Sequence, residues 1–207
     1  NRLVLDLYEQ AFAAGAPAER RVAEPRWRIE HAQILDPADI PRFAKLGVVA
    51  SMQPSHAIGD LHFAPRRLGR ERLRGAYAWR SLLAAGARLA AGSDAPVERG
   101  DPLVEFYAAA VRKDLDGFSG EDWAPEQRLS REESLRALTE WAAWAVFDEN
   151  ERGRIAPGLL ADFTVLSADP LAAEEREIPA IRVEMTVVGG GIAYDAGGSS
   201  ASGSSRR

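Results

Sequence analysis

Three times along this chain a helical pattern gives way to a short apolar run, and each run stops at a polar group. Trp27 and Ile29 alternate with charge in the run that ends near Glu30-His31-Ala32. Val48-Val49-Ala50-Ser51-Met52-Gln53 is stopped by Pro54, with His56 two residues on, and the run 88–92 ends at Ser93-Asp94. Strands that read as apolar runs are buried on both faces, as in parallel sheets flanked by helices. The alternation therefore predicts an α/β fold.

The helices between the strands carry their own punctuation. Residues 2–14 place Leu3, Leu7 and Phe12 near one face and stop at Gly15 and Pro17. Asp36-Pro37 and Asp101-Pro102 are caps followed by a first-turn proline. Gly47 closes the first of these helices, and Gly86 ends a further predicted helix over 71–85. Ser130 and Glu133 form a capping box for a helix running to about Val146. From Gly153 the pattern changes to strands over 162–166 and 183–194, a small β unit.

Composition excludes several partners. A net charge of −5 leaves no clustered basic face for a phosphate backbone, so no nucleic acid is expected. The densest basic stretch, 66–74, is interrupted by Leu68, Gly69, Glu71 and Leu73 and reads as a solvated helix start. No apolar run approaches the ~20 residues of a membrane span, and zero cysteines exclude disulfides and thiolate metal sites. The expectation is a cytoplasmic protein without membrane partners. The chain opens on Asn1 in mid-pattern, as a truncated chain would.

At the ends of the three strands stand His31, His56 and Asp94. Imidazole and carboxylate from separate strand ends are ligand types that suit zinc or a similar divalent ion. A carboxylate beside such an ion can take a proton from water and hand it to a leaving nitrogen. Each residue also has a plainer reading: a lone strand-end histidine is more often structural, and an Asp between Gly-Ser and Ala-Pro can cap a turn. His62 precedes Pro65 in a loop and reads as exposed. Trp79, Arg80 and Arg99 are weighed as loop-lining residues against surface or core packing.

The ordered stretches RWRIEHAQILDPADIPRFAKLGVVASMQPSH, LGRERLRGAYAWRSLLAAGARLAAGSDAPVE and LSREESLRALTEWAAWAVFDENERGRIAPGLLADFTVLSADPL, followed by VEMTVVGGGIAYD, resemble the YtcJ-like branch of the amidohydrolase superfamily, amidohydrolase family 3. The resemblance implies that residues 1–152 are the C-terminal part of a (β/α)8 TIM-type barrel, strands six to eight with their helices. It implies that 153–195 are part of a small β-sandwich domain, completed by an N-terminal segment; the Gly- and Ser-rich composition of 196–207 separately predicts a disordered tail. His31 matches the sixth-strand metal ligand. Asp94 matches the eighth-strand aspartate, metal ligand and general base then acid, and His56 matches a seventh-strand, substrate-facing position.

The cofactor implied is one or two divalent metals, zinc by expectation. The partner implied is a small amide-type substrate, hydrolysed at a carbon–nitrogen bond other than a peptide bond; a homo-oligomer is compatible. The first-strand HxH and the fifth-strand histidine of the family are missing here, so a complete site is expected to need the N-terminal half. The alternatives are a catalytically inactive fragment and a metal-free ligand-binding α/β protein.

Overall fold

The structure, a computed structural model, describes residues 1–15, 24–121 and 123–197. Helix α1 (Arg2–Ala14) precedes strand β1 (Arg28–Glu30), helix α2 (Ile40–Leu46) and strand β2 (Val49–Met52). Helices α3 (Pro54–Asp60), α4 (Ala64–Leu73) and α5 (Trp79–Ala84) lead to strand β3 (Arg88–Ala91), followed by α6 (Pro102–Val111), α7 (Arg131–Leu138) and α8 (Glu140–Ala145). Strands β4 (Phe163–Leu166), β5 (Val183–Val188) and β6 (Gly191–Asp195) close the described fold.

The first three strands form a parallel sheet in the order β1-β2-β3. Its register aligns Glu30 with Ser51 and Ser51 with Ala90, so all three strands end on one side. Central β2 is the most apolar, with Val49, Ala50 and Met52 all buried. Helices cover the sheet around a core that includes Phe43, Trp79, Leu82, Leu89 and Tyr107. Helix α1 adds Leu5, fully buried, while Leu3 and Leu7 stay exposed. Arg2 donates to Asp39 at 2.9 Å and Arg42 to Asp6 at 2.6 Å, strapping α1 to the next helical segment.

Local sequence explains most boundaries. The Asp36 carboxylate accepts from Ala38 N at 2.9 Å and that of Asp101 from Leu103 N at 3.0 Å, each satisfying a donor the first helical turn leaves free. Gly47 takes the left-handed conformation (φ 64°) that ends α2 and turns the chain into β2. The Ser130–Glu133 capping box is present in both directions.

Two expected helices are shorter than predicted. The one over 71–85 is in fact the end of α4, an irregular segment with Tyr77 at φ 49°, and then α5. Residues 75–77 are held instead against 33–35: Leu35 N donates to Gly75 O at 2.9 Å and Tyr77 N to Gln33 O at 2.7 Å. The helix from Ser130 to Val146 divides at Thr139 (φ −125°, ψ −87°), whose hydroxyl bonds back to Leu135 O at 2.8 Å. A threonine that back-bonds competes with the helical ladder. The basic stretch 66–74 lies on α4, which is interrupted at Gly69 (φ 72°, ψ 162°).

The C-terminal strands form an antiparallel sheet, β4-β5-β6. Gly189 and Gly190, both at positive φ, make the two-residue turn of the β5–β6 hairpin, the geometry that glycine permits at both positions. Among the described residues, no helix is long and apolar enough to cross a membrane. The proposed stop at Pro17 and the tail from 198 onward lie outside the described residues.

Candidate active site

His31, His56 and Asp94 each stand past the C-terminal end of a parallel strand. That is where βα loops gather functional groups in barrels and open α/β sheets. His31 follows β1 at once. Ala32 N donates to Glu30 O at 2.9 Å, making a tight turn with His31 (φ 67°) at its centre. Asp94, three residues past β3, also has a left-handed φ of 59°. Non-glycine residues pay for such conformations with about 1–3 kcal/mol of strain, and they cluster at functional sites.

His56 belongs to a helix. Pro54 starts α3 directly after β2, and His56 lies in its first turn. The central strand therefore delivers this imidazole between the other two. Its ring stacks on that of His31 with centroids 5.6 Å apart and planes 14° from parallel. Its Nε2 lies 3.9 Å from Asp94 Oδ2 and 3.6 Å from Glu98 Oε1. That Nε2 is buried and without a hydrogen-bond partner, whereas His31 and Asp94 are exposed and Glu98 half-buried. A buried polar atom left unpaired costs about 1–3 kcal/mol, so it marks a place built to receive a further group.

Glu98 closes the GSDAPVE stretch, and nothing in the residue pattern separates it from the loop around it. Glu105 was also out of reach. On α6 and almost wholly buried, it accepts from Ser55 N at 2.8 Å and so fixes the first turn of α3. Burial pushes its carboxyl above the ordinary value, with hydrogen bonding from Ser55 working the other way.

The donors present suit a divalent ion in kind, being imidazoles and carboxylates around an unpaired nitrogen. Yet among the described residues no three histidine, aspartate or glutamate side chains gather closely enough to hold one. The described residues thus supply part of a donor set. Of the remaining candidates, Trp79 is buried in the core and Arg80 is paired with Glu133 at 2.9 Å. His62 is paired with Asp114 at 3.0 Å. An open cavity of about 670 Å³ lined by Tyr8, Arg26, Trp27, Val146 and Phe147 lies toward the N-terminal end of β1. None of His31, His56 and Asp94 lines it.

Comparison with known proteins places the chain in a family. The family model described as amidohydrolase family matches residues 2–194. The chain is 36% identical over 168 residues to the putative amidohydrolase YtcJ of Bacillus subtilis (strain 168), covering 81% of this chain and 32% of that one. It is 30% identical over 199 residues to the N-substituted formamide deformylase of Arthrobacter pascens, covering 95% of this chain and 35% of that enzyme. In three dimensions it resembles an uncharacterized metal-dependent hydrolase from Pyrococcus horikoshii OT3. The TM-score is 0.69 at 28% identity, over 84% of this chain and 33% of the other. The chain spans about a third of the length of the curated relatives it matches.

Proposed function

The chain belongs to the amidohydrolase family, and from that premise we propose that it carries strands six to eight of a (β/α)8 barrel. Residues 1–152 are then barrel and 153–195 part of a small β domain. The whole protein is a metal-dependent hydrolase of carbon–nitrogen bonds other than peptide bonds. The observation that carries the reading is the unpaired, buried Nε2 of His56, stacked on His31 and facing Asp94 and Glu98 at the strand ends.

In this reading His31 and Asp94 are two of the ligands of a divalent ion, with zinc as the first candidate. Such an ion lowers the pKa of water toward about 7 and polarises a carbonyl. The chain's own residues then do the following. Asp94, on its turn after β3, accepts the proton of the attacking water and later gives it to the leaving nitrogen. His56 donates from Nε2 to the substrate carbonyl, which gives that atom its missing partner. Glu105 keeps His56 in register through the Ser55 amide. The relative that deformylates N-substituted formamides makes small formamides and amides the first substrates to try.

The test is made on the chain joined to the remaining two-thirds of a close relative, because the described residues hold only part of a donor set. Metal content is measured together with hydrolysis of a panel of N-substituted formamides and simple amides. Turnover that disappears with chelation and returns with zinc supports the reading. Turnover unaffected by chelation, or by replacing both His31 and Asp94, sinks the metal reading, whereas neither retained metal nor turnover favours a metal-free ligand-binding protein.

A further inference from the structure

We infer that Tyr77 is a positioning residue: its phenol joins the turn that carries His31 to the helix that carries His56, and so sets the imidazole stack. The inference rests on the reading of these two histidines as site residues. Tyr77 is fully buried, yet its hydroxyl has partners on both sides. Gln33 Nε2 donates to it at 2.6 Å, and it donates to Asp60 Oδ2 at 2.7 Å. Gln33 is two residues past His31. Asp60 is one helical turn past His56 on α3, and residues four apart share a helix face. The phenol thus spans the two elements that meet at the 5.6 Å stack.

The backbone around Tyr77 is held as firmly as its side chain. Residues 33–35 and 75–77 form an antiparallel clasp with Ile34 bridged to Ala76. Behind the clasp lies the buried Arg112, which donates to Tyr77 O and to Ala76 O, each at 3.0 Å, and to Trp123 O at 2.7 Å. Tyr77 sits at φ 49°, an unusual conformation for an aromatic residue and one that a structure keeps only when its surroundings over-determine it. Phenylalanine would fill the same space and keep every one of these backbone bonds. The hydroxyl is what links Gln33 to Asp60.

The three histidines of the chain make the idea testable without any assay of turnover. His31 and His56 face each other, whereas His62 is stacked on Phe118 and paired with Asp114, whose carbonyl accepts from Tyr107 at 3.0 Å. The 207-residue chain, labelled with ¹³C in its histidine rings and kept in chelator, gives three imidazole Hε1 signals. Tyr77→Phe is expected to move the His31 and His56 signals and leave that of His62 in place. Tyr107→Phe, which also removes one tyrosine hydroxyl, is expected to do the reverse. Asp60→Asn, which keeps a carbonyl acceptor, should retain the wild-type pattern, and Gln33→Ala should reproduce the Tyr77→Phe pattern.

The inference is overturned if Tyr77→Phe leaves the His31 and His56 signals unmoved, or moves all three alike. Should that variant not fold, Gln33→Ala at its half-buried position decides the matter by the same two signals. Because the spectra are recorded without metal, this test fails separately from the metal reading. That reading fails instead if added zinc leaves the His31 signal unchanged in the joined protein.

Discussion

Glu98 Oε1 stands 3.6 Å from Nε2 of His56, nearer than the Asp94 carboxylate at 3.9 Å. Both carboxylates are about one-third exposed, so water screens the attraction and each pair is worth at most a modest fraction of a buried one. A double-mutant cycle of His56→Ala with Glu98→Gln, followed by urea denaturation, should give a coupling of about 0.5 kcal/mol. The cycle with Asp94→Asn should give less. Strict additivity for the Glu98 pair would remove Glu98 from the site.

The clasp between 33–35 and 75–77 makes a second prediction about a single methyl group. A Cβ on Gly75 would lie 1.7 Å from the backbone oxygen of Leu35, and backbone cannot swing aside as a side chain does. Gly75→Ala is expected to destabilise the chain by about 3 kcal/mol or more. Gly59, exposed on α3, has open space where its Cβ would stand. Gly59→Ala is therefore expected to stabilise by about 0.5–1 kcal/mol, through the lost freedom of the unfolded chain. Chemical denaturation of both variants checks the contrast, and equal effects would show that the clasp is not closed in solution.

The residues behind these two predictions differ in how far the sequence announced them. His31, His56 and Asp94 were visible because a strand-end position is a local property, legible from an apolar run and the polar residue that stops it. Caps at Asp36, Asp101 and Ser130 were visible for the same reason, since each bonds within three residues of itself. Tyr77, Gln33 and Asp60 were not, because their bonds join positions 44 and 17 residues apart. Helix α3 was hidden by Pro54, which stops the strand before it, whereas the basic stretch 66–74 did announce a helix where α4 stands. The break at Thr139 was hidden by apolar periodicity that runs on through it. Glu98 lay inside a quoted motif, yet only the fold shows that it faces His56.

The capping box supplies a prediction in pH. The Arg80 guanidinium, helped by hydrogen bonds from Ser130, holds the Glu133 carboxyl down at about 2 from an ordinary 4.5. Its folded value is depressed, so its contribution to stability is fully present above pH 4.5 and is lost as the pH falls toward about 2. Glu133→Gln should lower stability at neutral pH by about 1 kcal/mol, the usual scale of a capping interaction. The gap between variant and wild type should close as denaturation curves are taken down from pH 5 to pH 2. A gap that stays constant over that interval would mean that Glu133 and Arg80 are not paired in solution.

The last prediction separates this chain from the longer proteins it resembles. Catalytic zinc takes three protein ligands and leaves one position open for water. The described residues bring His31, His56 and Asp94 to one end of the sheet without gathering three donors around a point. The 207-residue chain alone is therefore expected to lose metal on dialysis and to show no measurable amide or formamide hydrolysis with zinc, manganese or cobalt. Joined to the remaining length of a close relative, it should retain metal and turn over. Asp94→Asn in that joined protein should then lower kcat by a factor of about 10² or more, because proton transfer to and from water is lost while the fold is kept. Equal metal content with an undiminished rate in the Asn variant would assign the proton to another group. Hydrolysis by the bare chain after metal-free purification would overturn this account of the site.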